Sequence, residues 1–284
     1  MDNTLRKLQL TQLEILKAVD QFCKENDIRY SLCGGTLLGA IRHKGFIPWD
    51  DDVDICMTRE YYNLFLRTWS EKKPEGYLLQ NAENTPQFSQ SFTKIRKEHT
   101  TFLQEADAVG AYHVGIFIDI FPVDRMPKQK LRRMLVQMQY MLYQLYLRGY
   151  VPKDANVVER IASKVLLCIV PQSGRQGIRN KLLRQITRYN DDASNRVYIN
   201  ASISTIHALF PPDLMDDYTE VSFEDCGFMS VKDWDVYLTQ FYGDYMTPPP
   251  EHERTGIHNA QIIDFERDYD EYVAMKKQTE TGEK

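Results

Sequence analysis

The order of segments between residues 28 and 57 constrains the fold most: a strand, two glycines, a helix and a second strand. IRYSLC predicts a strand that ends at Gly34-Gly35, and GTLLGAIRHKG predicts a helix that begins directly after it. VDICM predicts the second strand, and residues 58–70 predict another helix. Later strands are predicted for GYLLQ, SFTKIRKEHTTFL and GIFIDIFPV. This alternation predicts a mixed α/β (α+β) fold.

Three regions are predicted along the chain. Residues 1–125 form the α/β core and begin with an amphipathic helix over 4–26. Residues 126–195 form a basic helical insertion, with helices over 127–150, 155–169 and 174–190. Residues 196–284 return to the core and end in a tail that we expect to be flexible and disordered from about Ala274.

Charge is distributed unevenly. The chain has a net charge of −5, but residues 126–190 contain thirteen Lys or Arg and only two acids, a net charge of +11. Such asymmetry indicates an anionic surface as a partner. The five cysteines are scattered and form no CxxC pair, so they predict buried free thiols rather than a zinc site.

Membrane and export signals are weak in the sequence. No run reaches the roughly 18 apolar residues of a spanning helix, and MDNTLRKLQLTQ lacks the apolar segment of a signal peptide. We therefore expect a cytoplasmic protein.

Carboxylates carry the strongest chemical signal. Asp50, Asp52 and Asp54 alternate into the strand VDICM and are predicted to share one face. Asp119 lies within the apolar strand GIFIDIFPV, where an unpaired carboxylate would be costly. Repulsion among these groups is relieved by a divalent cation, and oxygen ligands favour Mg²⁺ or Mn²⁺. The alternative for the acidic run alone is a solvated turn.

The predicted roles differ among these carboxylates. Asp52, Asp54 and Asp119 are predicted to be catalytic and to bind the metal, and Asp50 is predicted as a further metal ligand. Asp124 is a secondary candidate for the same site or its surroundings.

Phosphate binding is predicted at several positions. Gly34, Gly35 and Thr36 lie at a helix start, where backbone N–H groups bind phosphate oxygens. Arg42, Lys94 and Arg96 are candidate phosphate-binding cations. For Arg42 the alternative is a solvated helix end. Arg254 and His258 lie in a polar loop and are further candidates for substrate binding.

These motifs resemble a known family. Gly34-Gly35-Thr36, Asp52-Val53-Asp54 and Asp119 resemble the signature of the nucleotidyltransferase superfamily. More narrowly, GGTLLGAIRHKGFIPWDDDVDI, IDIFPVD and YGDYMTPPPEHERTGIHN resemble the LicD family, which includes fukutin-related proteins. The resemblance extends from about residue 28 to residue 259. It implies a nucleotidyltransferase-like core with a mixed sheet. Residues 1–125 would then form the catalytic core, and residues 196–284 would complete the active site.

The resemblance also implies an activity. Members transfer a phospho-alcohol, such as phosphocholine or ribitol phosphate, from a CDP-linked donor such as CDP-choline to a glycan hydroxyl, with release of CMP. The acceptor is expected to be a cell-surface glycan, lipid-linked in some members, as in teichoic acid or lipopolysaccharide. Asp119 is expected to accept the hydroxyl proton. The basic region 126–190 is expected to associate with the inner membrane face, with a basic groove for an acidic acceptor or a solvated face as the alternatives. Nucleic acid is not an expected partner.

A choline group would bind over aromatic faces. Trp49, Tyr242 and Tyr245 are the substrate-binding candidates, with Tyr112 as a further one, although Trp49 could instead cap the core. Three other functions fit the carboxylates: a nucleotidyltransferase that uses an NTP and releases pyrophosphate, a glycosyltransferase with an Asp-x-Asp motif, and an inactive glycan- or nucleotide-binding scaffold.

Overall fold

The chain folds into the predicted mixed α/β architecture. The structure, a computed structural model, describes residues 3–104, 112–151, 156–199, 208–256 and 260–282. Its helices are α1 (Asn3–Glu25), α2 (Gly34–Arg42), α3 (Arg59–Lys72), α4 (Lys130–Arg148), α5 (Val157–Ile169), α6 (Gln172–Thr187), α7 (Trp234–Tyr242) and α8 (Tyr269–Gly282). Its strands are β1 (Ser31–Leu32), β2 (Asp54–Thr58), β3 (Tyr77–Gln80), β4 (Thr93–Lys97), β5 (Thr101–Gln104), β6 (Phe117–Met126), β7 (Arg196–Ile199), β8 (Tyr218–Phe223), β9 (Cys226–Val231) and β10 (Ala260–Asp264).

The main sheet is mixed and centres on β6. Its strands lie in the order β1-β2-β6-β4-β3, and β7 pairs with the second half of β6. The β2–β6 pair is parallel, whereas β6 pairs antiparallel with both β4 and β7. Since β6 is buried along almost its whole length, its apolar run reflects burial on both faces.

Helices α1 and α3 pack together beside this sheet. The apolar stripe of α1 is fully buried at Ile15, Leu16 and Val19, as a 3.6-residue period requires. Phe22 of α1 packs against Trp69 of α3 with ring centroids 4.6 Å apart. The prediction of a first amphipathic helix is therefore confirmed.

The segment SFTKIRKEHTTFL is two strands rather than the single strand predicted. His99 has a φ of 55°, in the left-handed region, and interrupts the extended chain between β4 and β5. After this turn β5 leaves the main sheet and pairs with β10. The partner strand lies far along the chain, so local pattern could not reveal the break.

The predicted helical insertion contains a second hydrophobic cluster. Val136 and Tyr140 of α4 pack with Ile186 of α6, and Tyr198 of β7 joins them. By contrast, α5 has no buried residue. The region boundaries at 125/126 and 195/196 stay predictions.

The C-terminal segment differs from expectation. The chain is helical over Tyr269–Gly282, where a disordered tail was expected from about Ala274. Acidic residues at 270 and 271 lie in its first turn, where they favour helix formation.

No helix among the described residues is long and apolar enough to cross a membrane.

Candidate active site

The acidic run folds as a loop rather than as a strand. Residues 50–53 are irregular and β2 begins only at Asp54, so the expected alternation of Asp50, Asp52 and Asp54 on one strand face is wrong. Instead, carboxylate oxygens of Asp50, Asp51 and Asp52 all lie within 4.8 Å of one another. A curved loop therefore brings consecutive carboxylates together, and Asp51 joins a cluster in which it was not predicted.

Two glutamines of α1 hold this loop in place. Gln9 Nε2 donates to the main-chain oxygen of Asp50 at 2.9 Å, and Gln12 Nε2 donates to that of Asp51 at 2.8 Å. Both glutamines are buried, at 0 % and 1 % exposure. Because a buried amide costs free energy unless it is bonded, these bonds fix the loop against α1.

Asp54, Asp119 and Lys94 form a row across three neighbouring strands. Asp54 of β2 is the register partner of Asp119 of β6, and Asp119 is the partner of Lys94 of β4. Register partners in adjacent strands place their side chains on the same face. The structure therefore brings together the two strand carboxylates and the lysine that the sequence predicted.

Asp54 is the most perturbed group of the site. Burial raises its pKa well above the usual range, and the charges of Asp52, Asp119 and Asp50 raise it further, whereas Lys94 lowers it. Its Oδ1 is buried and accepts no hydrogen bond from any described residue. A buried carboxylate oxygen without a donor, beside other carboxylates, fits a divalent cation with oxygen ligands.

Lys94 pairs with Asp119 inside the protein. Its Nζ donates to Asp119 Oδ1 at 2.7 Å, and the two side chains are only 7 % and 6 % exposed. The ammonium also lies 3.2 Å from the centre of the Phe117 ring. Burial lowers the pKa of Lys94, and the charge of Asp119 opposes this shift.

The glycine pair lets the carboxylates approach α2. Gly34 has a φ of 55°, and a Cβ there would lie 2.9 Å from Asp54 Oδ2. A Cβ at Gly35 would lie 2.8 Å from Asp50 Oδ2. Both positions therefore need the absence of a side chain, and Gly34 also needs the left-handed backbone that glycine adopts without strain.

The bonds of Gly34 and Thr36 differ from those expected. The Gly34 N–H, predicted to bind phosphate, donates to the hydroxyl of Tyr237 at 2.9 Å. The Asp54 N–H donates to Thr36 Oγ1 at 2.8 Å. In this structure both residues therefore position Asp54 and the start of α2.

Arg42, Arg254 and the aromatic residues that they contact form a basic and aromatic wall. Arg42 Nη1 donates to the main-chain oxygen of Tyr245 at 2.7 Å. The Arg254 guanidinium lies 5.3 Å from the centre of the Trp49 ring. Burial lowers the pKa of Arg42, and the charge of Arg254 acts in the same direction. Two arginines held within electrostatic reach of each other are typical of an anion site.

Tyr242 lies within electrostatic reach of the carboxylates. Burial raises the pKa of its hydroxyl, and Asp54 and Asp50 add to the shift, yet the residue is 40 % exposed. The other aromatic candidates make contacts within the protein: the Tyr245 hydroxyl donates to Asp235, and Trp49 packs against the core. The ring of Tyr112 packs against Phe88.

Two candidates, Arg96 and Asp124, do not fit the site, and the role of His258 stays a prediction. Arg96 is 1 % exposed, and its guanidinium donates to Gln80 Oε1 and to the Gly115 carbonyl oxygen. Asp124 lies an odd number of positions from Asp119 along β6, hence on the opposite face, where Arg59 and Asn190 donate to it. His258 lies outside the described residues.

Sequence reasoning missed the residues that hold the site together. Gln9 and Gln12 interrupt the apolar face of α1, and polar residues within such a stripe are a signal that could have found them. Tyr237 had no comparable signal, because its contact with Gly34 joins positions 203 residues apart.

Comparison with known proteins places this site in a family. The family described as LicD/FKTN/FKRP, nucleotidyltransferase domain, matches residues 27–142, which include the glycines and all five carboxylates of the site. The chain is also 31 % identical to the lipopolysaccharide cholinephosphotransferase LicD of Haemophilus influenzae, over 90 % of this chain and 96 % of that protein. The chain belongs to the LicD family. It is a LicD-like transferase.

Shorter matches fall on proteins without an assigned activity. An uncharacterised protein of Rickettsia typhi is 36 % identical over 26 % of this chain and 24 % of its own length. One of Rickettsia prowazekii is 43 % identical over 19 % of this chain and 20 % of its own. These partial matches add no function to the LicD assignment.

Proposed function

We propose that this LicD-family chain transfers phosphocholine, or another phospho-alcohol such as ribitol phosphate, from a CDP-linked donor to a glycan hydroxyl and releases CMP. The similarity to a lipopolysaccharide cholinephosphotransferase supports phosphocholine as the group and a cell-surface glycan as the acceptor. The observation that carries the proposal is the buried Asp54 Oδ1, which has no hydrogen-bond partner in the described part of the chain and lies beside the carboxylates of Asp52, Asp119 and Asp50.

Asp50, Asp52, Asp54 and Asp119 would hold a divalent cation, with Asp51 beside them. Mg²⁺ or Mn²⁺ suits this oxygen-only set. When bound, such an ion stabilises negative charge on phosphate oxygens during an in-line displacement. The Gly34 N–H is bonded to Tyr237, but the other N–H groups at the start of α2 support phosphate binding near the ion, since N–H groups at a helix start attract anions.

Asp119 is the group that we assign to the acceptor hydroxyl. Lys94 Nζ donates to its Oδ1 at 2.7 Å, which fixes the carboxylate. We assign Oδ2 as the atom that receives the hydroxyl proton. The acceptor oxygen then bonds to the phosphorus that carries choline, the P–O bond to CMP breaks, and CMP leaves with that bonding pair.

The wall residues are assigned to donor recognition. Arg42 lies within electrostatic reach of Arg254 and of Tyr242, and the two arginines would pair with donor phosphates. Tyr242 offers a half-exposed ring near the carboxylates, a suitable partner for a quaternary ammonium through cation–π attraction. A Tyr242→Phe variant keeps that ring, whereas Tyr242→Ala removes it.

The alternative, nucleotidyl transfer from an NTP, uses the same carboxylates but a different bond. Incubation with CDP-choline, CDP-ribitol, CTP and ATP, each with a lipopolysaccharide-derived acceptor, separates the two by the product released. We expect CMP from a CDP-alcohol, and a higher KM for CDP-choline with Tyr242→Ala than with Tyr242→Phe. Pyrophosphate from CTP or ATP, with both CDP-alcohols inert, would replace this proposal with nucleotidyl transfer.

A further inference from the structure

Exposed apolar side chains are concentrated in the helical region. Eleven of the seventeen large apolar residues that are exposed among the described residues lie between positions 131 and 169. In folded proteins, exposed apolar side chains concentrated in one region usually mark a contact with a partner or a membrane.

Local hydrogen bonds stabilise the start of helix α5. The Asn156 side chain accepts from the Glu159 N–H at 2.9 Å, and the Glu159 carboxylate accepts from the Asn156 N–H at 3.0 Å. This capping box stabilises the helix start. Yet α5 buries no residue in the protein, so its packing does not account for its apolar side chains.

The apolar residues of α5 recur at helical spacing. Val158, Ile161 and Val165 are 76 %, 59 % and 50 % exposed, and Val157 and Ile169 continue the stripe. Positions three and four apart fall on one face of a helix. Helix α5 therefore presents an apolar face to its surroundings.

Helix α4 adds a second exposed stripe. One face of α4 is buried against α6, as Val136 and Tyr140 show. Its exposed apolar residues are Leu131, Met134, Leu135, Met138 and Met141. These and the five apolar residues of α5 are called the α4–α5 apolar surface below.

Basic residues accompany this surface. Residues 126–190 carry a net charge of +11 in a chain whose net charge is −5. Lys130 and Arg132 flank the α4 stripe, Lys164 adjoins the α5 stripe, and all three are exposed. An apolar face edged with Lys and Arg is the composition of helices that lie in the interface of an anionic membrane.

We propose that the α4–α5 apolar surface docks on the surface of an anionic lipid bilayer. The apolar side chains would enter the boundary between headgroups and acyl chains, while the neighbouring Lys and Arg pair with lipid phosphates. Charge decides against a second copy of the chain as the occupant, since two regions of +11 would face each other. The proposal rests on these two helices and is independent of the reaction that the chain catalyses.

Co-sedimentation of the full chain with vesicles tests this docking. Vesicles of phosphatidylethanolamine with phosphatidylglycerol are compared with phosphatidylcholine vesicles, each at low and high salt. We expect binding to the anionic vesicles only, weakened by salt. The double variant Ile161→Ser with Val165→Ser removes apolar contact and should weaken binding about tenfold or more. The control Leu10→Ser changes an exposed apolar residue of α1 and should bind like the wild type.

Two charge-reversal variants test the contribution of the basic residues to vesicle binding. Lys164→Glu should weaken vesicle binding, whereas Arg67→Glu, at an exposed position of α3, should leave it nearly unchanged. Circular dichroism of each variant shows whether the fold is retained. Equal sedimentation with neutral and anionic vesicles, or unchanged binding of the double variant, would overturn the proposal. So would a dimer in sedimentation equilibrium that the double variant converts to monomer, because the surface would then join two copies.

Discussion

Replacement of Lys94 by methionine tests the electrostatics of the site most sharply. The change keeps a long side chain but removes the charge that pairs with Asp119 at 2.7 Å, in a place where both side chains are less than 8 % exposed. Removing one partner of a buried ion pair costs about 3–5 kcal/mol. This cost includes the lost contact between the Lys94 ammonium and the Phe117 ring, whose centre lies 3.2 Å away.

Urea denaturation in EDTA, followed by tryptophan fluorescence, measures this cost. We expect Lys94→Met to lower the free energy of unfolding by about 3–5 kcal/mol, and the double variant Lys94→Met with Asp119→Asn to recover much of it, because no unpaired charge then remains. Lys97→Met is the matched control on the same strand. Its partner Glu14 is 56 % exposed, so we expect a loss of at most about 1 kcal/mol. A Lys94→Met variant as stable as the control would show that the Lys94–Asp119 ion pair does not stabilise the fold.

Three further predictions follow from the same geometry. Gly34→Ala should lower stability by about 1–2 kcal/mol, because alanine disfavours the left-handed backbone, and should abolish CMP release. The control Gly76→Ala, also at positive φ but with open space around it, should keep activity. Equal activities of the two variants would contradict the close approach of Asp54 to Gly34. The pKa of Asp54 is raised in the folded state. In EDTA, its contribution to stability is therefore present below the pKa of the unfolded state, about 3.9, and is lost as pH rises through the pKa of the folded state. Urea midpoints measured against pH should show this loss in the wild type and not in Asp54→Asn. Asp124→Asn should lower stability by about 3 kcal/mol while the turnover of folded enzyme is unchanged. A loss of turnover without a loss of stability would indicate that Asp124 belongs to the active site.

The strands of the site could be predicted because each carries a carboxylate within an apolar run. Asp54 and Asp119 were identified in this way, and the structure makes them register partners. Their parallel pairing depends on strand order, which no local pattern specifies.

The different roles of Lys94 and Arg96 could not be predicted either. Strand alternation places both on one face of β4, but the neighbours across the sheet turn Lys94 towards Asp119 and bond Arg96 to Gln80.

The loop that carries Asp50, Asp51 and Asp52 could not be predicted, for a physical reason. An acidic run before an apolar strand reads as part of that strand, and the resulting alternation leaves Asp51 on the far side. The bonds from Gln9 and Gln12 to its main-chain oxygens favour the curved form instead. These contacts join positions about forty residues apart, so only tertiary structure reveals them.

We propose that the carboxylate cluster transfers phosphocholine with the help of a divalent cation. Mass spectrometry of a lipopolysaccharide-derived acceptor, after incubation with CDP-choline and Mg²⁺, tests this transfer directly. With the wild type we expect acceptor that carries phosphocholine and an equal amount of CMP, and we expect neither product with EDTA or with folded Asp54→Asn. Phosphocholine on the acceptor in undiminished yield from Asp54→Asn in EDTA would contradict this function.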